Sequence, residues 1–285
     1  MPTPPLPQAE TCPAGECGYL YGLLTTKYKL GVFLQDCRQY LEIEAEGGVV
    51  VGLIAMIWSI FSIASAIWLL IDLRNQPEIM PIMKVAWTLI TLYLGVIGLA
   101  LYVTSCREPK PGTHDEFVAP MWKQATGSVI HCVAGDALGI VAAAIVTSFL
   151  GMPMYGDMIV EYIVGFLVGW LLFQTVPIMH MNHISFQSAL RTGFWAELLS
   201  LTFMVLGMFP TMYYLMNLWS VMSLGSFTFW FVMSISILVG SMVTYPINWW
   251  MVAKGLKHGM GSSHVMGHGG SGHVQQVHHM KHAHE

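Results

Sequence analysis

Six long apolar stretches alternate with polar segments along this chain. A helix needs about 20 apolar residues to cross the hydrocarbon core of a bilayer, and each stretch reaches that length. The pattern predicts an all-α, polytopic membrane protein with about six transmembrane helices. The predicted spans are approximately residues 48–72, 82–104, 129–150, 157–178, 193–216 and 226–251.

Composition supports the membrane class and narrows the function. Charged residues make up 10% of the 285 residues, whereas about 25% is usual in soluble domains. The net charge is −4, with Lys and Arg scattered, so we expect no nucleic-acid partner. The N-terminal segment MPTPPLPQAE lacks the basic and apolar regions of a signal peptide.

The polar segments predict how the chain is organised. The first segment mixes aromatic, apolar and charged residues, which is typical of an interfacial helix, although a helix packed on the bundle fits equally well. The last segment is too rich in Gly, Ser and His to form a core, so we expect it to be disordered. The predicted parts are a cytoplasmic N-terminal segment (1–47), a leading transmembrane hairpin (48–104), a polar loop (105–128), a four-helix membrane domain (129–257) and a His-rich tail (258–285).

An even number of spans would place both termini on the same side of the membrane. Ten of the 12 Lys and Arg residues then lie on the side of the termini. Because basic residues are enriched in cytoplasmic segments, we expect a multi-pass protein of the cell (inner) membrane with both termini in the cytoplasm. The cysteines would then lie in or near a reducing compartment, so no structural disulfide is expected. Cys12 and Cys17 could bind a soft metal or remain idle thiols.

The last four spans show a faint internal similarity that suggests a parallel repeat of two-helix hairpins. Gly151-Met-Pro in the first hairpin resembles Gly207-Met-Phe-Pro in the second, and each hairpin has an acid early in its first helix. Some transporter folds contain repeats of this kind. Chance matching of Gly, Met and Pro in apolar sequence explains the pattern equally well.

Ionisable residues inside the predicted spans are the strongest functional signal. Such residues are costly in hydrocarbon and usually mark an ion path or a proton relay. The predicted path has an inner layer near the cytoplasm, where we expect the carboxyl groups of Asp136 and Glu197 to approach within about 8 Å. Glu161 would form an outer site, on the same helix face as Gly165 and Gly169. The candidate path residues are Asp136, Glu161, Glu197, His131, Cys132 and Asn248.

Several residues have side chains that bind soft or borderline metals. Met and Cys suit Cu(I), and imidazole suits copper, zinc and nickel. Methionine also fills gaps in ordinary cores, so an outer layer at Met152, Met154, Met158, Met208 and Met212 has two interpretations. The candidate metal ligands are Met179, His180, Met181 and His183 at the inner face, and His258, His264, His268, His273, His278, His279, His282 and His284 in the tail.

One part of the sequence resembles a known family. The motifs HCVAGD (131–136), EYIVGFLVGWLLFQTVPI (161–178), AELLSLTFMVLGM (196–208) and YPINWWMVAKGLKHGM (245–260) resemble domain of unknown function 4396 over about residues 129–258. The resemblance implies a membrane location and a helical bundle. It supplies no activity.

Two function classes follow from these observations. The favoured hypothesis is a transporter of a transition-metal ion, with copper preferred over zinc or nickel. The alternative is a non-catalytic membrane subunit or scaffold that docks a metalloprotein, with the tail as a metal buffer. A homo-oligomer is compatible with both. No P-loop, nucleophile elbow or H-E-x-x-H motif occurs in the sequence, so an enzyme is the less favoured class.

Overall fold

The computed structural model describes residues 27–77, 79–110, 112–220, 224–257 and 259, with side chains from residue 48 except those of Met154, His180, Met181 and Asn182. Two compact units divide the chain, Met1–Val51 and Gly52–Glu285, and the site described below lies in the second. The regular elements of the described part are helices. They are α1 (Lys27–Leu73), α2 (Pro81–Leu94), α3 (Val96–Ser105), α4 (His114–Val118), α5 (Met121–Leu150), α6 (Met154–Val168), a π-helical segment (Gly169–Thr175), α7 (Val176–Asn182), α8 (Phe186–Leu218) and α9 (Phe227–Ala253).

The protein is an all-α, polytopic helical membrane protein, as the hydropathy pattern predicts. In the described part of the chain, five helices are long and apolar enough to cross a membrane. The predicted span at 82–104 is not among them, because it is divided into the shorter apolar helices α2 and α3. The five candidate spans are Gly48–Leu73, Met121–Leu150, Tyr155–Met179, Phe186–Leu218 and Phe227–Ala253.

Helices α2 and α3 form a hairpin that turns at Gly95. Gly95 has φ +56°, a left-handed conformation that glycine adopts without steric cost. Next to the turn, Gly98 packs against the backbone, since a β-carbon there would lie 2.8 Å from the Cα of Thr91. Farther from the turn, the rings of Trp87 and Tyr102 are 5.6 Å apart. The two short helices therefore run antiparallel.

The hairpin enters and leaves at the same end of α1. At its start, the Lys84 ammonium donates to the backbone carbonyl of Leu73, at 3.1 Å. Just after its end, the guanidinium of Arg107 donates to the Asp72 carboxylate at 3.0 Å. The Gly95 turn contacts Ser62, about 16 Å before Leu73 along α1. The predicted span at 82–104 is therefore not one continuous helix, because a glycine turn reverses the chain within the apolar run.

Close glycine contacts hold the remaining helices together. A β-carbon on Gly139 of α5 would lie 2.7 Å from the Cα of Gly165 in α6. Likewise, a β-carbon on Gly207 of α8 would lie 3.1 Å from the Cα of Gly240 in α9. Small residues allow such backbone approach between membrane helices. The predicted packing seam through Gly165 is confirmed.

The glycines that suggested an internal repeat have different structural roles. Gly151 ends α5 in the left-handed conformation, whereas Gly207 lies within α8 against α9. Similarly, Pro153 precedes the first turn of α6, while Pro210 lies inside α8. The local Gly-Met-Pro correspondence is not reproduced, and a repeat of whole hairpins stays a prediction.

A π-helical segment, which begins at Gly169, separates α6 from α7. Pro177 has no N–H for the carbonyl of Phe173, and its ring crowds that carbonyl, which favours a wider turn. The Thr175 hydroxyl donates to the carbonyl of Trp170 at 2.7 Å. In this segment Phe173 packs under Gly135 of α5, and Gln174 lies next to Cys132. The π-helical segment thus contributes one wall of the site described next.

Candidate functional site

Two carboxyl groups lie close together inside the bundle, and both contact Gly169. Asp136 on α5 and Glu197 on α8 are each 0% exposed. A β-carbon built on Gly169 would have Asp136 Oδ1 and Glu197 Oε1 both within 3.0 Å, so these oxygens are less than 6 Å apart. The predicted approach within about 8 Å is confirmed.

Most of the oxygen atoms of this pair lack a donor. Within the described residues, no donor outside the pair reaches Asp136 Oδ1, Asp136 Oδ2 or Glu197 Oε1. Buried polar atoms almost always have a hydrogen-bond partner. The pair is therefore unusual among buried polar groups, because three of its four oxygen atoms lack a donor among the described residues.

Cys132 is the third member of the site. It lies one helical turn before Asp136 on the same face of α5, as the spacing predicts. Its thiol, which is also 0% exposed, lies 3.2 Å from Glu197 Oε2 and donates to it. The amide oxygen of Gln174, from the π-helical segment, is 4.0 Å from the Cys132 sulfur. The site thus combines two carboxyl groups, a thiol and an amide.

Lys257 brings a positive charge into this buried cluster. It is 3% exposed, and its Nζ lies 3.9 Å from Glu197 Oε2. A helix-ending turn makes this possible: the N–H of Leu256 donates to the carbonyl of Met251 at 2.9 Å, and that of Gly255 donates to Val252 at 3.0 Å. Gly255 is left-handed, with φ +68°, the arrangement of a Schellman motif. The turn directs the next residues back towards the bundle.

Sequence reasoning missed this role for Lys257, which entered the sequence analysis only as one of the basic residues that orient the protein. The available signal was Gly255, four residues after the predicted end of the last span, because a glycine just past a helix end often reverses the chain. Hydropathy alone could not reveal that the following lysine is buried. Gln174 was also missed, because the π-helical turn that positions it has no simple sequence signature.

Asn248 holds Lys257 and connects three helices. Its Oδ1 accepts from the Lys257 ammonium at 2.8 Å and from the Ser128 hydroxyl of α5 at 3.3 Å. Its Nδ2 donates to Ser200 Oγ of α8 at 2.9 Å and to the carbonyl of Thr244 at 3.0 Å. Asn248 is 0% exposed. These hydrogen bonds bring Asn248 next to Lys257 in the cluster, while its place in an inner layer stays a prediction.

The charges around Lys257 favour its protonated form. Burial by itself lowers the pKa of Lys257, but the opposing effect of Cys132, Glu197 and Asp136 outweighs it. The pKa of Lys257 is therefore raised above its ordinary value. With both carboxyl groups ionised and Lys257 charged, the cluster carries a net charge of −1, so it is one positive charge short of neutrality.

Glu161 lies apart from this cluster. Its side chain is 2% exposed, and one of its oxygens has no partner among the described residues. It precedes Gly169 by eight residues, which is about 12 Å along a helix. Between them, Gly139 and Gly165 pack backbone to backbone. Glu161 is therefore separated from the inner pair along α6 by this close-packed seam.

The predicted methionine layer looks like ordinary packing where its side chains are described. Met208 is buried in the hydrophobic core, and Met158 and Met212 pack against the same core. Met152 is 36% exposed, and the side chain of Met154 lies outside the described residues. These positions do not form a separate polar centre.

No metal site is formed by those predicted histidine ligands that the structure describes. The His131 ring packs edge-on against Phe173, with centroids 5.8 Å apart. His183 is exposed at the end of α7, with φ 51°, and Met179 is half-buried. Within the described part of the chain, no three His, Cys, Asp or Glu side chains are arranged to hold a metal ion. The predicted ligands that lie outside the described residues are the side chains of His180 and Met181, with His258, His264, His268, His273, His278, His279, His282, His284, Cys12 and Cys17.

Comparison with known proteins identifies the part of the chain that contains this site. A family model described as a domain of unknown function (DUF4396) matches residues 121–257. No curated protein and no solved structure matches the chain. The match begins with α5 and ends at Lys257, so it includes all members of the buried cluster. The chain is therefore similar to the domain of unknown function DUF4396 over residues 121–257.

Proposed function

We propose that this protein moves a cation across a membrane through the site formed by Asp136 and Glu197. The observation that carries the proposal is the meeting of two fully buried carboxyl groups whose three remaining oxygens lack donors. Burial of an ionised carboxylate costs several kcal/mol of solvation free energy. Apolar residues would pack the same volume without that cost. A cation or proton that binds between them supplies the missing partner.

Copper is the transition metal that we propose to test first. Cys132 lies in contact with Glu197, and a thiol is a soft ligand that favours Cu(I) over hard cations. Zinc and nickel remain the alternatives from the sequence. The support for copper is the chemistry of Cys132 together with the His-rich sequence of 258–285, which suits metal capture near the inner face.

We propose the cell membrane as the location, with α9 ending on the cytoplasmic side. Five crossings place residues before Gly48 on the opposite side from residues after Ala253. Nine of the 12 Lys and Arg residues then lie on the side where α9 ends, which by the positive-inside rule is the cytoplasm. This replaces the expectation of a cytoplasmic N-terminus, which depended on a sixth crossing. The nine residues are Arg74, Lys84, Arg107, Lys110, Lys123, Arg191, Lys254, Lys257 and Lys281.

Ion flux in proteoliposomes tests the proposal. Purified wild type should move at least one of Cu(I), Na⁺, K⁺ or H⁺, and Asp136→Asn or Glu197→Gln should abolish that flux, because each removes one charge of the pair. Glu116→Gln is the matched control, since this side chain is exposed on α4. Retained flux in Asp136→Asn, in correctly inserted protein, would refute the role of the pair.

The tail and the scaffold alternative are tested in the same assay. A chain that ends at Gly259 keeps Lys257 and should bind fewer copper ions while flux persists, because the proposed path lies within the bundle. If flux stops as completely as in Asp136→Asn, the tail is a required acceptor. If the full-length protein moves none of these ions, nor zinc or nickel, the scaffold alternative becomes the leading hypothesis.

A further inference from the structure

Lys257 reaches the carboxyl pair from outside the last membrane helix. Four residues, Ala253 to Leu256, are exposed at the end of α9, and Lys257 then returns into the bundle, where its side chain is 2% exposed. An isolated ammonium loses several kcal/mol of solvation on such burial. A lysine is retained in this position only where negative charge compensates it.

The charges at the site do not balance when both carboxyl groups are ionised. Asp136 and Glu197 carry two negative charges when ionised, and Lys257 carries one positive charge. Cys132, Gln174 and Asn248 contribute no charge in their ordinary forms. Counted over the described residues, the site therefore needs one additional positive charge to become neutral.

The Lys257 ammonium lies near two acceptor atoms at unequal distances. Its Nζ is 2.8 Å from Asn248 Oδ1 but 3.9 Å from Glu197 Oε2. The hydrogen bond is thus made to the neutral amide, while the carboxylate is held at the limit of an ion pair. Glu197 consequently keeps an oxygen free, and a cation can approach it without breaking the bond to Asn248.

We propose that Lys257 is a built-in cation of the transport site. The transported substrate is therefore one monovalent cation. The inference rests on the proposed function and adds the charge class of the transported ion. In the empty site Lys257 compensates one carboxylate. A bound cation completes the neutralisation and repels the ammonium towards Asn248. Divalent ions are disfavoured, because they would leave the buried site with a net positive charge.

The turn at Gly255 brings Lys257 to this position. The turn is exposed, and its backbone hydrogen bonds to Val252 and Met251 fix where the chain returns to the bundle. On its inner side, Asn248 is fixed by bonds to Thr244 and Ser200. The ammonium therefore lies between a fixed amide and the Glu197 carboxylate, where it can respond to a cation bound at the pair.

Charge removal at Lys257 tests the inference. Lys257→Met leaves the site with two negative charges, so the variant should gain flux of Zn²⁺ or Mn²⁺ that wild type lacks. It should also lower the half-saturating concentration of the monovalent ion about tenfold or more, since a unit charge at 4 Å is worth several kcal/mol in a protein environment. Lys254→Met is the matched control, because this lysine is exposed three residues earlier.

The outcomes separate the inference from the proposed function. If wild type moves no cation, the proposed function fails, and the inference fails with it. If wild type moves a monovalent ion and Asp136→Asn stops it, but Lys257→Met neither admits a divalent ion nor lowers half-saturation, the inference alone is overturned. Thermal unfolding in detergent identifies a misfolded variant, and Lys257→Gln, which can still donate to Asn248, then replaces it with the same expected result.

Discussion

Gly169 lies directly against the carboxylate of Asp136, with no space between them for a methyl group. Glu197 approaches the same glycine from α8. The absence of a side chain is therefore what lets two carboxyl groups from different helices reach one point. Gly169 also begins the π-helical segment, so the same residue ends the regular part of the helix and forms the floor of the site.

Gly169→Ala should separate the carboxyl groups and stop ion flux. Overpacking in a core costs about 1–3 kcal/mol, and the gain in helix propensity of about 1 kcal/mol offsets part of it. The protein should therefore stay folded, which thermal unfolding can check beside the flux assay. Gly156→Ala, in α6, is the control, because its β-carbon would meet only the flexible end of Met152 at 3.2 Å and the Pro153 ring. Unchanged flux in Gly169→Ala would show that the pair does not need its present geometry.

Asn248→Ala should destabilise the protein and release Lys257. The substitution removes the acceptor of the 2.8 Å bond and leaves buried hydroxyls without their partner. Loss of a buried partner costs about 1–3 kcal/mol, which should appear as a lower unfolding temperature. Asn217→Ala is the comparison, since this exposed amide donates to the carbonyl of Tyr213 in its own helix. Equal effects of the two substitutions would contradict a central role for Asn248.

The effect of Lys257→Met on ion affinity should not change with pH across the neutral range. The pKa of Lys257 is raised, so the stabilising charge is fully present below its ordinary pKa and is lost only when pH rises through the higher, folded-state value. From about pH 6 to about pH 9 the ammonium therefore stays charged. The half-saturating concentrations of wild type and variant, measured at several pH values, should keep a constant ratio. A ratio that falls to one near neutral pH would show that Lys257 is already neutral there.

Labelling of introduced cysteines should detect five crossings. Asn75→Cys and Met152→Cys lie in exposed turns after α1 and α5 respectively, so an impermeant thiol reagent should label them from opposite sides. Asn75 should react only from the cytoplasm, because the α2–α3 hairpin returns to the end where α1 stops. The native residues Cys12, Cys17, Cys37 and Cys106 are replaced by Ser in this background. Labelling of Asn75→Cys from outside would restore the six-span arrangement.

The sequence alone predicted the all-helical membrane class and the positions of most of the long helices. Runs of apolar residues longer than a bilayer requires must be helices that span it, since backbone groups have no other partners in lipid. That argument holds for the four spans after residue 120, whose positions agree with α5, α6 with the π-helical segment, α8 and α9. It failed at 82–104, because hydropathy does not record the direction of the chain. The reversal there depends on Gly95 in a left-handed conformation against Ser62, a contact between residues distant in sequence.

The candidate site was also predicted in part from the sequence, and the rest of it depends on the tertiary structure. The sequence alone indicated Asp136 and Glu197, because an acid in an apolar run is costly wherever that run packs, and it placed Cys132 on the face of Asp136 by helical spacing. Only the tertiary structure decided that both acids meet at Gly169, and that Glu161 is kept apart by the Gly139–Gly165 contact. It also decided that Lys257 belongs to the site, since a turn outside the membrane carries this residue back inside. Burial cost depends on one residue's surroundings in the bilayer, whereas charge compensation depends on distances between elements that only the folded chain sets.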